Sequence, residues 1–261
     1  MQNNYLQSII DNKKHEVERL HETLDKNFFK KNNKSFKQAI QQVDISVIAE
    51  IKRRSPSKAY LADIHDPISL AKQYVCGGAS AISLVTDHFA FQGSLNDLNQ
   101  VAAALTNTSV VILRKDFIID ELQIIESINA GANAILLIVS ILKEKTEALL
   151  SAAKKYGIDA LVEVHDRQEL DYAIEIGSEI IGINNRNLTT FEVNTENAIK
   201  LRPFIPDHIV SIAESGIHTL NDVKQLIDAN FDALLIGEAL VTSKDPGKFI
   251  RDIKGAACHL H

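Results

Sequence analysis

Eight short apolar runs, separated by amphipathic segments, constrain this 261-residue chain more than any other feature. They are Ser46–Ala49, Ala81–Val85, Val110–Leu113, Ala134–Val139, Ala160–Val162, Ile180–Ile183, Ile209–Ala213 and Ala233–Ile236. Most are too short for helices, and their hydrophobicity is nearly continuous rather than alternating, the pattern of a strand covered on both faces. Run starts follow one another at roughly 20–35 residues, the size of one strand–helix unit. Between them lie helical patterns such as Leu122–Asn129, Lys143–Tyr156, Arg167–Ile176 and Leu220–Ala229. Several stop at Gly77-Gly78, Gly131, Gly157, Gly177 or Asn230, residues that tolerate the left-handed turn ending a helix. About eight such units predict an α/β fold, a closed (β/α)₈ barrel, with an open doubly wound sheet as the alternative. The expectation is one barrel domain over residues 1–261. Its first 45 residues form an N-terminal helical extension (Leu6, Ile9, Ile10, Val17, Leu20, Leu24) that packs on the barrel or covers one end.

Composition narrows the function classes. The net charge of −6 repels a phosphate-dense polymer, so no nucleic-acid partner is expected. Of the two basic runs, Lys30-Lys31 with Lys34 and Lys37 reads as a solvated face. Lys52-Arg53-Arg54 follows the first apolar run and belongs with the site below. Two cysteines, Cys76 and Cys258, make no disulfide framework, and Cys76 reads as structural. No stretch approaches a membrane span or a signal peptide, so the expected setting is the cytoplasm, without a membrane partner. Neither G-x-G-x-x-G nor a P-loop is present. The histidines lack metal-site spacing, and no metal is expected. A monomer is the default expectation.

Polar residues gather where the runs end. Glu50 and Lys52 follow the first, Arg114 and Lys115 the third, Glu163 the fifth, Asn184 and Asn185 the sixth, Glu214, Ser215 and Gly216 the seventh, Gly237 and Glu238 the eighth. In a parallel barrel these ends open on one face, where barrel enzymes keep their chemistry. Each member has a plainer reading: Glu163 as a helix cap, the asparagines as a turn, Lys115-Asp116 as an exposed ion pair. Together they make a pocket of two lysines and three glutamates. Lysine beside lysine is expected to lower an ammonium pKa, and such crowding creates acid/base pairs. The glycines in SGI at 215–217 and IGEAL at 236–240 suit phosphate binding, so the expected ligand is a small phosphorylated molecule.

Ile48–Lys58 (IAEIKRRSPSK) resembles the signature of indole-3-glycerol phosphate synthases, as do LRKDFI at 113–118, INNRNL at 183–188, AESGI at 213–217 and LIGEAL at 235–240. The similarity runs from about Ile45 to the last helix, and the N-terminal extension fits it. The resemblance implies a carboxy-lyase that closes 1-(2-carboxyphenylamino)-1-deoxyribulose 5-phosphate to indole-3-glycerol phosphate, losing CO₂ and water, with no cofactor. It implies that Lys115 is the general acid on the substrate carbonyl and Glu163 the acid/base of dehydration. Glu50 is implied as a second catalytic carboxylate, with the work not divided between Glu50 and Glu163. Asn184, Glu214 and Ser215 would hold the anthranilate part and the reacting hydroxyls. Lys52 would pair with the substrate's carboxylate or phosphate, Gly216, Gly237 and Glu238 would offer backbone donors, and Ser55 and Arg186 join this binding set. Phe91 and Phe117 are candidates for the wall against the benzene ring, or for plain rim packing. Ala59 stands where the family usually has glycine, and the absence of Trp leaves Tyr5, Phe28, Phe29 or Phe36 for any aromatic contact from the extension. The rivals are a sister isomerase barrel using cysteine and aspartate, a Schiff-base aldolase with Lys115 as nucleophile, and a non-catalytic phosphate-binding barrel.

Overall fold

The computed structural model describes residues 3–24, 34–55, 60–187 and 192–258. Eight parallel strands close into a barrel in chain order: β1 (Ser46–Ile51), β2 (Ala81–Val85), β3 (Val111–Lys115), β4 (Ala134–Ile138), β5 (Asp159–Val164), β6 (Ile180–Asn184), β7 (Val210–Glu214) and β8 (Ala233–Ile236). β8 pairs back onto β1, from Ser46 beside Ala233 to Ala49 beside Ile236, which excludes the open sheet. The helices are α1 (Asn3–Thr23), α2 (Phe36–Ile40), α3 (Pro67–Gly77), α4 (His88–Phe91), α5 (Leu95–Ala104), α6 (Glu121–Ala130), α7 (Val139–Leu142), α8 (Lys145–Tyr156), α9 (Arg167–Glu175), α10 (Glu196–Leu201), α11 (Leu220–Asp228), α12 (Glu238–Val241) and α13 (Pro246–Cys258). The stop signals work as the sequence predicts: Gly78, Gly131, Gly157, Gly177 and Asn230 all have positive φ.

Two buried clusters divide the strand residues by parity. Val47, Ala49 and Ile51 of β1 lie in the larger cluster, between sheet and helices. Ile48 lies in the smaller one, inside the barrel, with Val111, Leu113, Leu161, Ile180, Val210, Ile212 and Leu235. Successive side chains on a strand point to opposite faces. Continuing each inward row by two residues therefore gives Glu50 after Ile48, Lys115 after Leu113, Glu163 after Leu161 and Glu214 after Ile212. These polar residues are not loop residues following the strands. They are the last inward positions of the strands themselves, which run one or two residues beyond the apolar runs.

The extension does two things. α2 inserts Phe36 and Ile40 into the interior cluster, and the Ser35 hydroxyl and Lys37 N–H donate to Asp159 at the start of β5, both at 3.0 Å. α1 instead reaches the opposite end: Ile9 joins the interior cluster and Lys13 meets Asp87 and Asp116, just past β2 and β3. Phe28, Phe29, Lys30, Lys31, Ala59 and Leu188 lie outside the described residues. Cys76 is exposed on α3, contrary to the expected structural role, because that face of the helix turns to solvent.

Candidate active site

One cavity at the C-terminal mouth is lined by Glu50, Lys52, Ser55, Phe91, Lys115, Phe117, Glu163, Asn184, Arg186, Ser215, Gly216, Gly237 and Glu238, whereas Arg114 and Asn185 do not reach it. Glu214 sits just beneath, in contact with Lys115. Lys115 occupies the centre, its Nζ 3.4 Å from Glu163 and 3.3 Å from Glu214. Glu50 forms a tight ion pair with Lys52 at the rim. Phe91 and Phe117, with ring centroids 6.1 Å apart, and Leu136 and Ile138 from the end of β4 supply an apolar wall. A flat aromatic fits that side and an anion the other.

Burial and charge compete here. Burial alone would push the Lys115 ammonium down, but Glu214, Glu163 and Glu50 outweigh it and raise its pKa. This corrects the expectation of a lowered lysine: the carboxylates, not the second lysine, are its neighbours. Burial destabilises the Glu163 carboxylate, yet Lys115 and His165 hold it below the usual carboxylate range. Glu50 is depressed in the same way, burial being overcome by Lys52 and then Lys115. Glu214 is the group that gives way: burial raises it to about 7, only partly opposed by Lys115, with Glu163 adding repulsion. Glu50 has Lys52 and Glu163 has His165, whereas Glu214 has only Lys115, which Glu163 shares, so Glu214 is the carboxylate that takes up a proton near neutral pH.

The loops that hold these groups are tied by local bonds. Arg186 N–H donates to the Asn184 side chain at 2.9 Å, and the Asn185 amide donates to the Ser215 carbonyl at 3.1 Å. Ser215 and Gly216 have φ of 64° and 78°, and a Cβ on Gly216 would lie 2.6 Å from Val193 Cγ1, so glycine is required there. Glu163 does not cap the next helix, since Asp166 does that by accepting from Glu169 N–H at 2.9 Å. The basic run divides its work: Lys52 faces the cavity, Arg53 pairs with Asp97 at 2.6 Å, and Arg54 donates to the Ala90 carbonyl at 2.9 Å.

Sequence reasoning missed a charged network around the cavity, which Asp87 and Asp116 also line. Asp116 is buried, not an exposed partner of Lys115, and is bound by Lys13 at 2.9 Å, Arg114 at 3.0 Å and the Thr86 hydroxyl at 2.6 Å. Arg114, of the outward parity, turns away from the cavity to Glu126 on α6 at 2.7 Å. Lys13, Asp87 and His165 carried no local signal; Lys13 could have been found only as a charge on the apolar face of α1. Among the described residues no group of three His, Cys, Asp or Glu is placed to hold a metal ion.

The family model described as indole-3-glycerol phosphate synthase matches residues 6–253. The chain belongs to the indole-3-glycerol phosphate synthase family. It is 44% identical over 250 residues to the indole-3-glycerol phosphate synthase of Chlorobium phaeovibrioides, covering 92% of this chain and 96% of the relative. The synthase of Chlorobium phaeobacteroides is 50% identical over 202 residues, 77% of each chain. That of Rhodococcus opacus is 46% identical over 222 residues, 85% of this chain and 81% of its own. Among solved structures, 3-hexulose-6-phosphate synthase from Salmonella typhimurium shares the fold at a TM-score of 0.66 and 14% identity, covering 83% of this chain and all of that one. Thiamine phosphate pyrophosphorylase from Pyrococcus furiosus does so at 0.63 and 13%, over 83% of this chain and 96% of its own. At that identity these two speak for the barrel alone.

Proposed function

We propose that this member of the synthase family closes 1-(2-carboxyphenylamino)-1-deoxyribulose 5-phosphate to indole-3-glycerol phosphate, releasing CO₂ and water, and that the mouth residues divide the proton transfers. The observation that carries the reading is Lys115, a part-buried ammonium held between two glutamates beside an apolar wall. An aromatic carbon is a weak nucleophile, so its attack on the ketone needs a proton donor at the carbonyl oxygen. A positioned general acid supplies typically about 10²–10⁴-fold. The raised pKa keeps Lys115 charged until the carbonyl oxygen develops alkoxide character, at which point the transfer becomes downhill. Loss of CO₂ then restores the aromatic ring.

Dehydration needs a proton on the departing hydroxyl, the part assigned to Glu163, and a base for the proton lost from the neighbouring carbon, the part assigned to Glu50. Asn184, Glu214 and Ser215 orient the reacting hydroxyls and the anthranilate ring, which lies against Phe91 and Phe117. Lys52, with Ser55 and Arg186, takes the substrate's anionic groups, and the backbone at Gly216, Gly237 and Glu238 takes the phosphate. A mouth assembled from one chain suits a monomer. No helix among the described residues is long and apolar enough to cross a membrane, and two cysteines with a small phosphorylated substrate suit the cytoplasm.

The test is a fluorescence assay for the indole product without added metal. Lys115→Ala is expected to lose turnover by about 10²-fold or more while the barrel stays folded. Near-wild-type kcat in that variant overturns the acid assignment. So does a covalent adduct at Lys115 after borohydride treatment with substrate, which favours the Schiff-base rival.

A further inference from the structure

The proton inventory of this reaction, which rests on the reading above, asks for a group not yet assigned. Protonating the carbonyl oxygen and then the departing hydroxyl takes two protons from the protein, and losing the proton from the neighbouring carbon returns one. The substrate carboxylate leaves as neutral CO₂, so each turnover consumes one net proton. Lys115 has given up its proton before dehydration begins. Glu163, which must donate in that second step, rests as a carboxylate with its side chain only 1% exposed. Its proton must come from a neighbour.

Among the described residues, the cations within ion-pair distance of Glu163 are Lys115 and His165. They take opposite edges of the carboxylate: Lys115 is 3.4 Å from Oε2, and His165 Nε2 is 3.3 Å from Oε1. Neither Nε2 nor Oε1 makes an aligned hydrogen bond, to the other or to any third group, so their 3.3 Å contact is an ion pair. The other edge of the ring is anchored on α9, where Glu169 lies 3.1 Å from Nδ1 and also accepts the His165 backbone N–H at 2.8 Å. Asn197 of α10 donates to the His165 carbonyl at 2.9 Å. The ring does not line the substrate cavity, so it acts only through Glu163.

We propose that His165 is a positioning residue and proton reservoir for Glu163. The imidazolium holds Oε1 so that Oε2 stays toward Lys115 and the cavity. Once Lys115 is discharged, the Nε2–H bond breaks with its electron pair staying on nitrogen, and an Oε1 lone pair takes the proton. The protonated carboxyl then turns about its Cγ–Cδ bond to bring that O–H to the cavity, and the O–H bond breaks as the proton passes to the departing hydroxyl, which leaves as water. The proton that Glu50 takes from the neighbouring carbon recharges Lys115, and the neutral ring, still carrying Nδ1–H toward Glu169, regains one proton from solvent, relayed through the emptied cavity and Glu163, when the product leaves. The ring meets Glu163 of β5 and Glu169 of α9, while Glu163 also meets the charges of Lys115, Glu214 and Glu50. Burial disfavours the imidazolium, but the two glutamates more than compensate and raise its pKa to about 10, so it is loaded at neutral pH.

The test compares wild type, His165→Gln and His165→Ala in the same product assay, with folding checked by circular dichroism. His165→Gln is expected to lose about tenfold or more in kcat with KM within twofold, and to become faster as buffer acid concentration rises. Imidazole added to His165→Ala should restore turnover in proportion to its protonated fraction, a response that a merely structural role would not produce. An unchanged kcat and pH profile in His165→Gln overturns the proposal, as does a loss in His165→Ala that imidazole leaves untouched. Absence of product from the wild-type protein would instead overturn the reaction on which the proposal rests.

Discussion

Replacing Lys13 by methionine tests whether the extension is wired into the catalytic face. Lys13 is fully buried, and its Nζ lies 3.1 Å from Asp87 and 2.9 Å from Asp116, both of whose side chains are 1% exposed. Glu16, 2.7 Å away, is the one partner with access to water. Methionine keeps the length and apolar stem but removes the charge, leaving Asp87 with the Ala90 N–H and Asp116 with Arg114, Thr86 and the Phe117 N–H. Removing one partner of a buried ion pair costs about 3–5 kcal/mol, because the remaining charge stays desolvated. For a chain of this size that corresponds to roughly 6–20 °C in Tm.

The sign of the pH dependence follows from the partners. Burial works against the Asp116 carboxylate, but Lys13 and Arg114 hold it far below its usual value. Its contribution is therefore present above its unfolded pKa of about 3.9 and is lost as pH falls through the folded value. Burial likewise opposes the Lys13 ammonium, and Asp116 and Asp87 raise it, so its contribution is present below about pH 10.4 and is lost above the folded value. The deficit of Lys13→Met should thus be widest between about pH 5 and 10, and smaller at pH 4, where Asp116 in the variant takes up a proton more readily. Thermal unfolding followed by circular dichroism at pH 4 and pH 7 reads both effects. A Tm shift below about 2 °C at pH 7, or an equal deficit at both pH values, refutes the reasoning.

Two further substitutions separate stability from chemistry. A Cβ on Gly237 would lie 3.0 Å from Glu50 Cδ and 3.2 Å from Lys52 Nζ, with Glu50 Oε1 nearer still. Gly237→Ala should therefore displace the Glu50–Lys52 pair and lower kcat/KM by about tenfold, a change of about 1.4 kcal/mol, while Tm moves by only a few degrees; unaltered kinetics would show that the pair's position does not matter. Glu214, raised to about 7 by burial, opposes folding once pH exceeds its unfolded value of about 4.3, and does so fully above 7. Relative to wild type, Glu214→Gln should gain up to about 3 kcal/mol between pH 5 and pH 8, read by urea unfolding, and a pH-independent difference would contradict a titrating Glu214.

Much of the mouth was legible because strand–helix repetition in a closed barrel brings every strand end to one face. Glu50, Lys115, Glu163, Asn184 and Glu214 could be grouped without any coordinates. Their status was misjudged by one detail: apolar runs end where polarity begins, whereas the strands end where hydrogen bonding does. Lys115 pairs across the barrel with Glu163 and Glu214, 48 and 99 residues away, contacts that no local pattern reports. Hence its ammonium was expected to be lowered and is raised.

The order and spacing of apolar runs determined the repeating strand–helix architecture by themselves, since burial on both faces and short connections leave such a chain few alternatives, while closure into a barrel rather than an open sheet was decided by β8 pairing onto β1. The neighbouring residues Arg114, Lys115 and Asp116 show what they could not determine. The three read as one polar cluster, but strand parity sends Arg114 outward to Glu126, Lys115 inward to the glutamates, and the turn after β3 leaves Asp116 facing Lys13 from a helix about 100 residues earlier. Which charges meet, and so which protonate, depends on distances of about 3 Å set by closure of the barrel and docking of α1. Only the tertiary structure decides those distances, because Coulomb energies and desolvation depend on separation and burial rather than on sequence order.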